Sequence, residues 1–292
     1  MYTQRPAEFD YHRPSSLDEA IELLAKDGDA RPLSGGHSLL PMMKLRLAEP
    51  RTIVDLGRIP GLDGIEQDGD VLRIGALATH ASITASEVVR SLCPVVAVTA
   101  EGIGDRQVRN RGTIGGSLAH ADPGADYPTV MKALGATITA TGPGGEREIA
   151  ADDFFTGVFT TSLQQGELVT AVQVPVVGTG MGAAYEKHRH PASGYAVAGV
   201  AAVVRIEGGK CAEARVVVGG VTGTPVRATA AEQAMEIGIA PVDEAAIAAA
   251  AEKVPEALSG AIGDTYASGE YRVHLAQVLA RRAITAAFEA AR

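Results

Sequence analysis

The chain has 292 residues, 46% of them hydrophobic, and its 35 acidic and 26 basic residues give a formal net charge of −9. This length allows two domains with well-filled cores, and an acidic chain without a long basic run is not expected to bind nucleic acid. We find neither a signal peptide nor an apolar run of the roughly 20 residues that cross a bilayer, and therefore expect a cytoplasmic protein, free or peripheral at the inner face of the membrane.

The sequence predicts neither a metal site nor a catalytic residue. Its two cysteines, Cys93 and Cys211, lie far apart, whereas an iron–sulfur cluster typically takes four thiolates, so we expect no cluster in this chain. His188 and His190 would share one face of a strand, but no third ligand accompanies them. No nucleophile, triad or acid–base pair stands out.

In the first half of the chain, patterns of apolar residues and turns predict short elements. A helix begins after Ser16, which forms a capping box with Glu19, and ends near Gly28. Strands are predicted at 30–33, 52–56 and 71–75. Helices are predicted at 84–92, with Thr84 as the cap, from Pro94 onward, and at 128–134. From 136 to 174 the pattern is strand, turn, strand.

The second half has a different organisation. We place a domain boundary in the glycine-rich segment 176–182. Strands are predicted at 183–188, 196–206 and 212–219, followed by alanine-rich helices at 242–258 and 269–291. On the last helix, Tyr271, Leu275, Val278 and Leu279 line one face. A block of strands followed by a block of helices indicates an α+β fold.

Two glycine-rich segments stand out. LSGGHSLLPMMKLR at 33–46 follows the strand predicted at 30–33, and GIGDRQVRNRGTIGGSLAHADPGAD at 102–126 follows the helix predicted from Pro94. The second is too rich in turn residues to be predicted as a helix and too polar to be buried without a ligand. Glycine lets backbone N–H groups approach an anion closely, because it has no Cβ. Two sets of backbone donors suit the two phosphates of a dinucleotide cofactor. The alternative to this phosphate-binding role is that each segment is only a tight surface turn.

Neither segment has the spacing of a common phosphate-binding loop. No Gly-Lys-Ser/Thr follows at the distance that a Walker A motif requires. Gly112, Gly115 and Gly116 lack the spacing of the Rossmann fingerprint, and no acidic residue ends a following strand at the expected distance. The sequence therefore predicts a dinucleotide site of another design.

The motifs SGGHSLLP at 34–41 and TIGGSLAHADP at 113–123, with Asp126 after the second, resemble the two flavin-binding signatures of the medium subunit of molybdenum hydroxylases. That family includes aerobic carbon monoxide dehydrogenase and xanthine dehydrogenase. The resemblance covers essentially the whole chain, and the pair of motifs in this order is highly specific. It implies an FAD-binding domain of the PCMH (vanillyl-alcohol-oxidase-like) type over 1–177. A C-terminal domain of a small antiparallel sheet plus a helical bundle would follow over 178–292.

The resemblance also implies a set of FAD-binding residues. Backbone amides of both motifs would wrap the diphosphate, and Asp126 would accept hydrogen bonds from cofactor hydroxyls. Lys187 would place a positive charge near the flavin, and Tyr195 would lie against its isoalloxazine ring. Taken alone, Asp126 also fits a turn residue, Lys187 a solvent-exposed strand residue, and Tyr195 a residue that covers the end of a hydrophobic core. The full predicted set is Ser34, Gly35, Gly36, His37, Ser38, Leu39, Ile103, Thr113, Ile114, Gly115, Gly116, Ser117, Asp126, Leu168, Lys187 and Tyr195. Arg106, Arg109 and Arg111 are expected to hold the loop or to face a partner.

In such a family the substrate is oxidised in another chain. The resemblance implies a large subunit with the molybdenum cofactor and a small subunit with two [2Fe–2S] clusters, assembled as a dimer of heterotrimers. Electrons would pass from the clusters to FAD and leave to an external acceptor, for which we favour a quinone over oxygen or NAD. Alternatives are a self-contained flavin oxidase of the same fold and a flavin-free scaffold subunit.

Overall fold

The computed structural model describes residues 5–236, 238, 240 and 243–291. Its strands, in chain order, are β1 (Asp10–His12), β2 (Arg31–Leu33), β3 (Thr52–Asp55), β4 (Ile65–Asp68), β5 (Val71–Gly75), β6 (Thr137–Gly142), β7 (Gly145–Ala150), β8 (Phe155–Gly157), β9 (Thr160–Thr161), β10 (Leu168–Pro175), β11 (Met181–Arg189), β12 (Ala196–Glu207), β13 (Lys210–Gly219) and β14 (Val226–Arg227).

The helices, in chain order, are α1 (Leu17–Lys26), α2 (Leu39–Lys44), α3 (His80–Ala85), α4 (Glu87–Leu92), α5 (Pro94–Glu101), α6 (Arg106–Arg109), α7 (Ile114–His120), α8 (Asp126–Leu134), α9 (Ala151–Phe154), α10 (Thr229–Glu236), α11 (Glu244–Ala251) and α12 (Gly269–Ala290). A short 3-10 helix covers Val254–Ala257. Within the described ranges, no helix combines the length and the apolar character that a membrane crossing needs.

The N-terminal part of the fold contains two main sheets. Strands β1, β3 and β2 pair in parallel in that order, and β2 and β3 place the first glycine-rich segment between them in sequence. The second sheet has the order β4-β5-β10-β6-β7 with antiparallel pairing. Helix α7, from the second glycine-rich segment, packs on this sheet and buries Ile114 and Leu118 completely. Both glycine-rich segments are therefore anchored to sheets.

The C-terminal part is the antiparallel sheet β11-β12-β13-β14 with helix α12 packed across β11 and β12. Strand β12 is apolar without alternation because both of its faces are buried. Ala198 and Val200 pack in the core below α12, whereas Ala201 and Val203 belong to the core of the N-terminal part. The sheet thus lies between α12 and the N-terminal part, which fixes the two parts against each other.

Most predicted elements are present, and the α+β prediction is confirmed. Ser16 caps α1 by accepting a hydrogen bond from the Glu19 amide, as predicted. The helix predicted at 84–92 is instead two helices, and Ser86, rather than Thr84, caps the second. The strands β1, β4, β8, β9 and β14 and the helices α2, α9 and α10 were not predicted. The predicted first residue of the 242–258 helix, Val242, lies outside the described residues.

One prediction about helices is wrong, and the last helix buries a different set of residues from the face singled out in the sequence. The segment 102–126 was predicted to be too turn-rich for a helix, yet it contains α6 and α7, because side-chain caps and burial outweigh its glycines. On α12, Tyr271 and Val278 are exposed, and the buried face carries alanines, Leu279, Ile284, Phe288 and Arg272. Because alanine is small, the alanine-rich face lets α12 approach the sheet closely, and this face is therefore the one that is buried.

Candidate functional site

The first glycine-rich loop connects β2 to α2 and has unpaired amides. In the described structure, the N–H groups of Gly35, Gly36, His37 and Ser38 donate to no protein acceptor. Gly36 has a φ of 74°, a conformation that glycine adopts without strain. Adjacent N–H groups without partners at the end of a strand form a site that is suited to an anion.

The second glycine-rich loop leads into α7, and the amides of residues 114–117 are already engaged within the protein. Thr113 caps this helix, since its Oγ1 accepts from the Gly116 amide at 3.1 Å. The Ile114 and Gly115 amides donate to the carbonyls of Ala78 and Ala76 at 3.1 and 2.9 Å. Of the amides at 113–117 that were predicted to wrap a diphosphate, the Thr113 amide is therefore the one without a protein acceptor in the described structure. The segment also offers the Ser117 hydroxyl.

The two loops touch each other through glycines. A Cβ on Gly35 would lie 2.7 Å from Gly112 Cα, and a Cβ on Gly116 would lie 2.7 Å from Ser34 Oγ. The Thr113 hydroxyl donates to Ser34 Oγ at 3.2 Å across the same contact. The glycines of the two signatures therefore serve first to let the loops meet, and the free amides of the first loop are held beside the second.

The loops border a cavity of about 480 Å³ that also reaches the C-terminal part. All the predicted site residues except Ile114 and Lys187 line this cavity. Ile114 is buried in the core instead, and Lys187 lies behind Asp126. The lining also includes residues that were not predicted, among them His80, Gly104, His120, Asp122 and Gly194.

The cavity has apolar walls beside these polar groups. Ile103 enters from the loop after α5, and Leu168 from the start of β10. Tyr195 follows a turn of the C-terminal part and is 39% exposed. Partial burial raises the pKa of the Tyr195 phenol, the Asp122 carboxylate adds to this rise, and the nearby Ser38 side chain opposes it. Tyr195 thus reaches from one part of the fold to the first glycine loop of the other.

Asp126, the first residue of α8, is a buried carboxylate on the cavity wall. Its Oδ1 accepts from the Tyr185 hydroxyl and its Oδ2 from Lys187 Nζ, both at 2.6 Å. Burial raises the pKa of Asp126, and the Lys187 charge together with these two hydrogen bonds opposes the rise. A carboxylate held in this way keeps acceptor capacity for a ligand hydroxyl.

The three arginines of the second segment differ in their contacts. Arg109 donates through Nη1 to the carbonyls of Ile103 and Gly104 at 3.0 and 3.1 Å, so it holds the loop that carries Ile103. Arg106 and Arg111 are exposed. No group of side chains in the described part of the chain has the composition of a metal site.

His80 is a site residue that the sequence did not reveal, although it directly follows the loop after β5. Its amide donates to the Gly112 carbonyl at 2.9 Å, and its imidazole lies where a Cβ on Gly112 would be 2.6 Å from Nε2. The ring is 5.4 Å from that of Tyr127, and neither His80 Nδ1 nor Tyr127 Oη has a partner among the described residues. His80 therefore backs the second glycine loop as a buried imidazole.

The burial of His80 predicts that the stability of the site depends on pH. Burial, with His37 and Arg109 nearby, lowers its pKa from 6.5 to about 4. The unfolded chain then binds a proton that the folded chain does not bind between these values. Stability should be full above pH 6.5 and should fall by up to about 3 kcal/mol as the pH drops to 4.

Urea unfolding at pH 7, 6 and 5 measures this dependence. A His80→Gln variant cannot titrate at this position, so its unfolding free energy should change less than that of the wild type over the same window. His120, whose pKa burial also lowers, is present in both proteins and does not affect the difference. Parallel pH profiles of the two proteins would contradict the assignment to His80.

The sequence matches two family models in succession. The FAD binding domain in molybdopterin dehydrogenase matches residues 7–177, and the CO dehydrogenase flavoprotein C-terminal domain matches residues 183–287. These matches agree with the order of the two parts in the structure.

Known proteins are similar over nearly the whole chain. The carbon monoxide dehydrogenase medium chain of Afipia carboxidovorans is 42% identical over 96% of both chains. The nicotine 6-hydroxylase medium subunit of Paenarthrobacter nicotinovorans is 38% identical over 95% of this chain and 96% of its own. A crystal structure of quinoline 2-oxidoreductase from Pseudomonas putida 86 matches with a TM-score of 0.92 and 35% identity, covering 98% of this chain and 99% of that one.

These similarities confirm the predicted fold, the FAD cofactor and the oxidoreductase class. The unpaired amides of the first loop, the glycine contact between the loops and the apolar walls fit such a cofactor. The chain belongs to the family of FAD-binding medium subunits of molybdenum hydroxylases.

Proposed function

We propose that this chain carries electrons through FAD within a heteromeric molybdenum hydroxylase. A small subunit with [2Fe–2S] clusters supplies the electrons, a large subunit holds the molybdenum cofactor, and the assembly is a dimer of heterotrimers. The observation that carries the proposal is the cavity in which unpaired amides of Gly35–Ser38 share a lining with Ile103, Leu168 and Tyr195. A cofactor with both a diphosphate and a flat apolar ring satisfies both kinds of wall.

Each part of the lining has a task in this function. The Gly35–Ser38 amides bind diphosphate oxygens, while the hydroxyls of Ser34 and Ser117 supply further donors. Ile103, Leu168 and Tyr195 exclude water from the ring. FAD, when bound, accepts electrons singly and releases them in pairs, which links one-electron clusters to a two-electron acceptor. The chain contributes binding, orientation and electrostatics.

The titratable groups of the lining support electron transfer over direct substrate oxidation. Asp126 is paired with Lys187, Asp122 Oδ1 accepts from the Gly124 amide at 2.8 Å, and His80 is buried. His120 stacks on Phe159, with ring centroids 5.1 Å apart. A self-contained oxidase needs a free base beside its substrate, and these four groups already have structural tasks, which leaves His37 on the first glycine loop as the one histidine of the described lining without such a task.

The names of the relatives bear on substrate choice. They include a carbon monoxide dehydrogenase chain and a nicotine 6-hydroxylase chain, and these medium chains share 42% and 38% identity with this one. Such different substrates paired with similar flavin subunits support a substrate site in the large subunit. The flavin subunit then determines the external electron acceptor, and we propose that this acceptor is a quinone.

Stopped-flow reoxidation of the complete complex tests this function without knowledge of the substrate. The complex, reduced with dithionite and freed of excess reductant, is mixed with a short-chain ubiquinone, oxygen or NAD⁺ while flavin absorbance near 450 nm is followed. We expect one FAD per chain and fastest reoxidation by the quinone. Faster reoxidation by NAD⁺ or oxygen contradicts the acceptor, and a correctly assembled complex without flavin contradicts the function. Turnover of an alcohol or amine by the chain alone would support the oxidase alternative.

A further inference from the structure

Strand β11 presents three polar side chains on one face toward the N-terminal part of the fold. Tyr185, Lys187 and Arg189 alternate along the strand, so they point to the same side. Tyr185 donates to Asp126, and Arg189 donates through Nη2 to the carbonyls of Gly102 and Gly104. Lys187 lies between them, and all three reach elements that border the cavity.

The Lys187 ammonium has three N–H donors, and each has a partner. Nζ lies 2.6 Å from Asp126 Oδ2 and 3.0 Å from the carbonyl oxygens of both Gly102 and Gly194. The side chains of the ion pair are 10% and 5% exposed, for Lys187 and Asp126 respectively. Because every donor is used, the ammonium has none left for a ligand in the cavity.

The three partners of Lys187 lead directly to the cavity wall. Gly102 immediately precedes Ile103, and Gly194 immediately precedes Tyr195, and both of these following residues line the cavity. Asp126 lines it as well. One ammonium therefore fixes three wall segments, one from the loop after α5, one from the start of α8 and one from the turn after β11.

The electrostatics favour a lysine in this place. Gly102 is the C-cap of α5, where carbonyl groups without helical partners attract a cation. A compact ammonium with three rotatable donors fits two carbonyls and a carboxylate that converge from different directions. The charge of Asp126 offsets that of Lys187, so the pair adds little net charge to the cavity.

We propose that Lys187 is a positioning residue that holds Tyr195 and Ile103 in place around the flavin, rather than a residue that contacts the cofactor. This inference rests on the proposed function, since it concerns how the same cavity receives FAD. Its consequence is that the C-terminal part completes the flavin site through β11. Loss of Lys187 should act on FAD through the mobility of Tyr195.

A double-mutant cycle on the complete complex tests the proposal. Lys187→Met, Tyr195→Ala and the double variant are freed of FAD and titrated with it, with flavin fluorescence as the readout. We expect each single change to raise the Kd about tenfold, and the double change to raise it about 10- to 20-fold rather than the hundredfold that independent effects give. Lys187→Met should also increase the emission of bound FAD, because Tyr195 no longer rests on the ring.

Lys132→Met is the matched control. Lys132 is similarly buried, with a side chain 14% exposed, and pairs with Asp152 outside the cavity lining. The Lys132→Met variant should have a lower melting temperature, while its Kd for FAD and the emission of its bound flavin should be unchanged. A hundredfold effect in the double variant, or an unchanged Kd in Lys187→Met, would overturn the positioning role. Failure of the wild-type complex to bind FAD would overturn the proposed function instead, so the two failures are distinguishable.

Discussion

Replacing Gly35 with alanine is expected to raise the Kd for FAD about 10- to 100-fold while the chain stays folded. The new Cβ would lie 2.7 Å from Gly112 Cα and would overlap the Arg111 carbonyl, which is backbone and cannot rotate away. The two glycine loops must therefore separate, which displaces the unpaired amides of the first loop from the hydroxyls of the second. FAD titration of the flavin-free complex, with far-UV circular dichroism to verify the fold, measures the effect.

Two variants separate the loop contact from general effects of substitution. Gly64→Ala adds the same methyl group where no atom lies within 4 Å, and Arg106→Ala removes an exposed side chain of the second segment. Both should bind FAD like the wild type. Gly115→Val tests the other loop. A Cβ there would lie 2.8 Å from Ala76 Cα, so this larger change should abolish FAD binding rather than weaken it. Normal binding by folded Gly35→Ala would contradict the role assigned to the loop contact.

The sequence predicted which motifs form the site better than it predicted their conformation. The glycines of the two motifs were identified from composition, but their purpose was assigned to anion approach. In the structure, Gly35 and Gly116 mainly allow close contact between segments that are about 80 residues apart in sequence. A contact over such a separation leaves no local pattern, so only the family resemblance brought both motifs to one cofactor.

The helices of the second glycine segment show how tertiary contacts override local propensity. Asp105 and Thr113 each cap a short helix by accepting from an amide three residues later. Ala121 ends α7 in the left-handed region at a φ of 50°, which costs an alanine strain. The buried Ile114 offsets such costs through packing, and packing is not visible in glycine content.

The contacts of Lys187 could not be predicted from the sequence. The resemblance implied a place near the flavin, whereas Lys187 lies behind Asp126 and outside the cavity lining. The carbonyls of Gly102 and Gly194 that surround it lie on separate turns. The alternation of Tyr185, Lys187 and Arg189 was present in the sequence as a signal. That pattern indicates a polar face on a strand, and its partners depend on how the two parts of the fold pack.

A buried arginine on the last helix, Arg272, is expected to contribute strongly to the unfolding free energy. Arg272→Met should reduce the unfolding free energy by about 2–5 kcal/mol, because Arg272 is 7% exposed and its guanidinium satisfies buried carbonyls. Nη1 donates to the carbonyls of Val197 and Gly220 at 2.8 and 2.7 Å, and Nη2 pairs with Asp264 at 2.6 Å. Methionine fills much of the same volume but supplies no donor, so both carbonyls lose their partner.

This arginine also connects stability to the flavin site. Val197 lies two residues after Tyr195, so a loosened start of β12 should weaken FAD binding as well as the fold. Arg281→Met is the control on the same helix, where the side chain is 58% exposed and reaches Glu244 only at 4.0 Å. That variant should change the unfolding free energy by less than about 0.5 kcal/mol. Urea unfolding compares the two variants. Equal losses of unfolding free energy would mean that the buried hydrogen bonds of Arg272 contribute no more than an exposed ion pair. A loss confined to Arg272→Met would show that Arg272 anchors the C-terminal sheet.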